Sequence, residues 1–88
     1  MGKYEKFLLK ILSGSSDRNI EFRDLCNLLK RLGFAEYIRG SHHMFRKEGI
    51  QEKINLQSEG SNAKPYQVKQ VRNIIQKYGL GDLSDVKI

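Results

Sequence analysis

His42 and His43 are the two histidines of this chain. They stand side by side in Arg39-Gly40-Ser41-His42-His43-Met44-Phe45-Arg46-Lys47, a segment with three basic residues and no acidic one. An imidazole titrates near neutrality and can give or take a proton at physiological pH. A guanidinium such as that of Arg39 or Arg46 holds phosphate oxygens in a two-pronged fork. The backbone N–H groups of a Gly40-Ser41 turn, with the Ser41 hydroxyl, can donate to a third phosphate oxygen. Cleavage of RNA needs little more. A base takes the 2′-hydroxyl proton, cations steady the crowded phosphate, and an acid protonates the leaving oxygen, with no requirement for a metal ion.

Metal ligation by the two rings is disfavoured from the sequence. Adjacent residues of a strand point to opposite faces, the chain has no third histidine, and the lone cysteine, Cys26, sits among leucines of a helical pattern. No cofactor or metal is expected. Cys26 reads as a small core residue, and a single cysteine cannot form an internal disulfide, which suits a reducing cytoplasm.

The elements that position the histidines follow from periodicity. Residues 3–13 place apolar side chains at 4, 7, 8, 11 and 12, a helical stripe. The segment "GSSDRN" breaks it, and 21–34 repeats the signal at 22, 25, 28, 29 and 32, with Gly33 placed to stop the helix in a left-handed conformation. Three short runs with aromatic and branched residues follow, "FAEYIR", "HHMFRKE" and "QEKINLQ", linked at "GS" and "GI", which predicts an antiparallel meander. A loop, "SEGSNAK", leads to Pro65, which suits the first turn of a helix. Val68, Val71, Ile74, Ile75 and Tyr78 then share one helical face, and Gly79 ends it. The tail from 81 to 88 can fray or add a strand. The expected class is α+β, an α-β-β-β-α layout like that of double-stranded-RNA-binding domains, with a three-stranded antiparallel sheet and an extra N-terminal helix. One face of the sheet carries the helices and the other meets water.

Alternation assigns the two rings to opposite faces. Phe45 is the largest apolar group of its run and belongs under the helices with Ile54 and Leu56. That puts His43 on the inner face and His42 on the open face with Arg46, where His42, Arg46 and the Gly40-Ser41 turn are expected to converge at one end of the sheet. The opposite register, with Met44 inside, exchanges the roles of the two rings.

Length and charge bound the function. Eighty-eight residues make one domain, in which roughly 60–65% of the unfolded surface is buried, without room for a large internal cofactor cavity. The composition, 39% apolar and 30% charged, is that of a folded soluble protein, and no run is long enough for a membrane helix or arranged as a signal peptide. A net charge of +6 favours polyanionic partners. Lys64, Lys69, Arg72 and Lys77 extend a second acid-free stretch along the last helix, so anionic ligands are expected at the histidine strand and at that helix.

"FRDLCNLLKRLGF", then "IRGSHHMFRK", an apolar strand, and "KPYQVKQVRNIIQKYGL", in this order and spacing, resemble the HicA toxins of type II toxin–antitoxin systems. The resemblance covers residues 20–80, leaving 1–19 as an extra helix and linker and 81–88 as a tail. It implies an mRNA-cleaving toxin with a double-stranded-RNA-binding-like fold and a catalytic histidine in the Gly-Ser-His-His segment. His42 is the first choice and His43 the second. Arg39, Gly40, Ser41, Arg46, Lys47 and Lys64 are then the RNA-binding set. It further implies a HicB-type antitoxin as partner, with operator DNA bound only through the antitoxin complex, and a role in stress response. Many relatives carry a proline and a further histidine after the third strand, where this chain has Gln57 and Ser58; the second proton-transfer group is therefore unassigned. A non-catalytic RNA-binding module with the same basic surface is the alternative.

Overall fold

The computed structural model describes residues 2–81. It is α+β, with α1 (Lys3–Ser13), a 3₁₀ turn (Asp17–Asn19), α2 (Phe22–Arg31), β1 (Ala35–Arg39), β2 (His42–Arg46), β3 (Ile54–Leu56), β4 (Ser58–Glu59), β5 (Asn62–Ala63) and α3 (Pro65–Tyr78). The expected tail lies outside the described residues beyond Gly81.

α2 ends as the sequence predicts. Gly33 has φ 102°, and the Phe34 N–H reaches back to the Leu29 carbonyl at 3.0 Å, closing the last turn. The meander is antiparallel in the order β1-β2-β3. Arg39 pairs with His42, Tyr37 with Met44 and Ala35 with Arg46; on the other side His43 pairs with Leu56 and Phe45 with Ile54. This is the register with Phe45 inside. Phe45, Ile54 and Leu56 are fully buried with Leu25 and Leu29 of α2 and Val68 and Val71 of α3 in one core cluster. Ile38 shares their face but stays 59% exposed, so the helical layer does not reach the outer strand there.

The extra helix is part of the domain. Leu8 and Ile11 are fully buried in the common core, and α1 packs against α3.

Two local departures have physical causes. The expected loop "SEGSNAK" folds as the β4–β5 hairpin, turned at Gly60 with φ 64°. It is stitched to the entry of α2, where the Phe22 N–H donates to the Ser61 carbonyl (3.0 Å) and the Ala63 N–H to the Ile20 carbonyl (2.8 Å). These backbone partners are distant in sequence and leave no periodic signal. The β2–β3 link is also longer than a Gly-Ile reversal, running from Lys47 to Lys53. It is pinned to the end of α3 by Glu52, which accepts from Lys77 Nζ at 2.7 Å and from the Tyr78 hydroxyl.

Glu52 carries a testable pH signature. The hydrogen bond from Lys77, followed by that from Tyr78, lowers its pKa from 4.5 to about 2. A carboxylate depressed in this way contributes stability above its unfolded value, near 4.5, and loses that contribution as pH falls through about 2. Glu52→Gln is expected to flatten the decline of melting temperature across this acid window. The pair is solvent-exposed, so the difference should be modest and shrink with added salt.

Candidate RNA-facing site on the open sheet

The Gly40-Ser41 turn joins β1 to β2 and sets the site. Gly40 adopts φ 58°, a left-handed conformation with open space around it. His42 begins β2, exposed on the uncovered face, and its backbone partner across the ladder is Arg39, also exposed. The His42 ring lies 3.2 Å from Asn55 Oδ1 through Nδ1. An amide oxygen only accepts, so Nδ1 carries the hydrogen and Nε2 keeps its lone pair. With Nδ1 turned to that oxygen, Nε2 is the ring nitrogen left to meet a ligand.

Next to it runs a polar chain. Lys64 Nζ donates to Gln57 Oε1 (3.4 Å), and Gln57 Nε2 donates to Ser41 Oγ (3.0 Å). Gln57 ties the Gly40-Ser41 turn to Lys64 in this way. Neither Asn55 nor Gln57 was singled out by sequence reasoning as a site residue. Alternation alone places Asn55 on the His42 face, and that signal was available.

Behind these groups stands Gln67 of α3, 4% exposed. Its Oε1 accepts from the Gln57 N–H at 3.1 Å and its Nε2 donates to the Asn55 carbonyl at 3.3 Å. One buried amide thus fixes the backbone that carries both neighbours of His42. Gln67→Leu would leave an N–H and a carbonyl unpaired, and the expected cost is about 1–3 kcal/mol. Denaturant unfolding measures it, and faster amide exchange at Gln57 would localise it.

The remaining expected residues do not all converge. Arg46 lies on the His42 face but at the far end of β2, opposite Ala35, roughly 13 Å along the strand at about 3.3 Å per residue. The expectation that Arg46 meets His42 at one end is corrected: the two stand at opposite ends of the five-residue strand. Lys47 follows β2 at that far end, and its ammonium approaches Gly33, away from the turn. On α3, Arg72 is tied to Asp17 and Lys77 to Glu52, so two of the four cations expected to meet an anion there are already engaged.

His43 faces inward, its side chain 25% exposed. Its Nδ1 donates to Glu36 Oε2 at 2.8 Å, and its ring meets the edge of Phe22 at 4.9 Å and 80°. That hydrogen bond, helped by Lys30 at 3.4 Å and opposed by partial burial, holds the Glu36 carboxyl below its ordinary pKa. Cys26 is buried among leucines as expected, and burial together with the Glu36 charge raises its thiol to about 11. The same placement of Cys26 has a consequence that the sequence premises did not cover. Donor atoms of Cys26, Glu36 and His43 all lie within 4.8 Å of one another. The alternation that parts the two histidines is what carries His43 beneath the sheet toward α2.

Three helices and a three-stranded antiparallel sheet in an α-β-β-β-α-like arrangement, with an exposed histidine beside Arg39 on the uncovered face, define a small α+β protein. The family model described as the HicA toxin of bacterial toxin–antitoxin systems matches residues 22–80, and the chain belongs to that family. α1 precedes the matched region. No curated protein and no solved structure gives a significant match.

Proposed function

We propose that this HicA-family toxin is an endoribonuclease that cleaves mRNA by histidine acid/base catalysis without a metal ion. The exposed His42 ring carries the proposal, with its hydrogen on the Asn55 side and its lone pair on the other, beside Arg39 and the Gly40-Ser41 turn. In the proposed reaction Nε2 of His42 removes the proton of a ribose 2′-hydroxyl. The oxygen attacks the adjacent phosphorus, the bond from phosphorus to the 5′-oxygen breaks, and that oxygen leaves with a proton from the imidazolium or from water. The products are a 2′,3′-cyclic phosphate and a 5′-hydroxyl. Arg39, the turn N–H groups and the Ser41 hydroxyl neutralise the phosphorane. Lys64 adds positive charge through Gln57, and Arg46 and Lys47 lie farther along the path of the strand. Tyr37, 57% exposed and paired with Met44 on the same face, offers a ring on which an unpaired base can stack.

Toxin–antitoxin membership implies an antitoxin partner, and a HicB-type protein that covers this open face would silence the toxin. Operator DNA is then reached through the antitoxin, and the setting is the cytoplasm. No helix among the described residues is long and apolar enough to cross a membrane.

The test is incubation of purified protein with RNA in excess EDTA, with the new ends analysed chemically. Cyclic phosphate ends are expected, together with resistance of an RNA bearing a single 2′-deoxy substitution at the cut site. Tight RNA binding without cleavage would replace this proposal with the non-catalytic module.

A further inference from the structure

We propose that Cys26, Glu36 and His43 form a site for one thiophilic divalent cation of the Zn²⁺ type, on the covered side of the sheet and separate from the open face. Three elements supply the donors: α2 the thiol, β1 the carboxylate and β2 the imidazole. The donor atoms already lie within 4.8 Å of one another. In a tetrahedral zinc site the donors are about 3.3–3.6 Å apart, given Zn–S near 2.3 Å and Zn–N or Zn–O near 2.0–2.1 Å. The Glu36 and His43 side chains are 16% and 25% exposed, so neither is locked in the core and a small shift of both toward Cys26 closes the gap.

The donor chemistry is selective. Sulfur, nitrogen and one carboxylate oxygen suit a borderline-soft ion and disfavour Mg²⁺ and Ca²⁺, which take oxygen donors. Three protein ligands leave a fourth position for water on the exposed side of His43. Lys30 stands 3.4 Å from Glu36 Oε1 as the resident cation, with its side chain 49% exposed. It is free to withdraw into solvent when a divalent ion takes its place. The edge contact with Phe22 fixes the plane of the His43 ring, which lowers the cost of ordering that ligand. On binding, the Cys26 S–H bond gives way to a sulfur–metal bond and the thiol proton passes to buffer, while the His43–Glu36 hydrogen bond is given up and the imidazole hydrogen sits on the ring nitrogen that does not ligate. No redox change occurs.

The inference does not rest on the nuclease proposal, and its test contains no RNA. The reduced full-length protein is titrated with Co²⁺, a spectroscopic stand-in for Zn²⁺, and absorption is recorded. A thiolate-to-cobalt charge-transfer band saturating at one equivalent and abolished by added Zn²⁺ is expected. Cys26→Ser should remove the band. Glu36→Gln and His43→Gln should each weaken Co²⁺ binding by about tenfold or more, with circular dichroism confirming that each variant is folded. If Cys26→Ser fails to fold, the other two variants decide the matter. A folded wild type without the band overturns the proposal. So does a band of unchanged affinity in both Glu36→Gln and His43→Gln, which would mark a thiol acting without its neighbours.

Discussion

His42→Ala is expected to lower the rate of RNA cleavage by about 10²–10⁴-fold, the usual contribution of a positioned general base. It should leave the folded state nearly as stable as before. The ring is exposed and makes one side-chain hydrogen bond, to Asn55. Its removal opens no cavity, so the stability change should stay within about 0.5 kcal/mol. His43→Ala should behave differently. It strips Glu36 of its principal hydrogen-bond donor and removes the edge contact with Phe22, so stability falls first and any loss of rate follows from a displaced strand. Comparing rate constants and unfolding midpoints for the two variants separates the roles. Full activity in His42→Ala, or loss of its fold, would end the assignment of this ring as the base. A second discriminator is Asn55→Ala. With the amide oxygen gone, Nδ1 and Nε2 compete for the hydrogen and the rate should fall while the RNA dissociation constant holds.

The histidine faces were legible because strand alternation is strict and Phe45 is too large to leave in water. Once Phe45 turns inward with Ile54 and Leu56, the direction of both rings is set. The helices were legible for the same reason, as apolar stripes with glycine stops. What the sequence hid depends on contacts between elements. Gln67 sits in the α3 pattern as one polar residue among many, yet it is buried because two backbone groups of the β3 segment need its amide. The nearness of Cys26 to His43 depends on how α2 lies beneath the sheet, which no period within either segment records. The position of Arg46 could have been reached from counting alone, since residues 42 and 46 mark opposite ends of a five-residue strand.

Arg72 shows where a count of charges misleads, and its replacement tests the point. From the sequence it belongs to an acid-free basic helix and invites assignment to a polyanion. In the structure its side chain is only 14% exposed. Nη1 and Nη2 fork onto the two oxygens of Asp17 at 2.9 and 3.1 Å, and Nη1 also donates to the Ile11 carbonyl at 3.2 Å. One guanidinium thus joins α3, the 3₁₀ turn and the end of α1. Arg72→Ala should cost about 2–4 kcal/mol, somewhat below the figure for a fully buried pair because Asp17 keeps partial access to water. Against a total stability on the order of 5–15 kcal/mol, this is a large loss. The denaturant midpoint should fall with the slope unchanged. Arg72→Lys should recover little, since an ammonium cannot fork onto both oxygens and the carbonyl together. The double change Asp17→Leu with Arg72→Met should be milder than Arg72→Ala alone, because it leaves no uncompensated charge behind. RNA affinity should change only in proportion to the folded fraction. An Arg72→Ala protein of wild-type stability that binds RNA more weakly would return this residue to the ligand-facing set and undo the structural role argued for it.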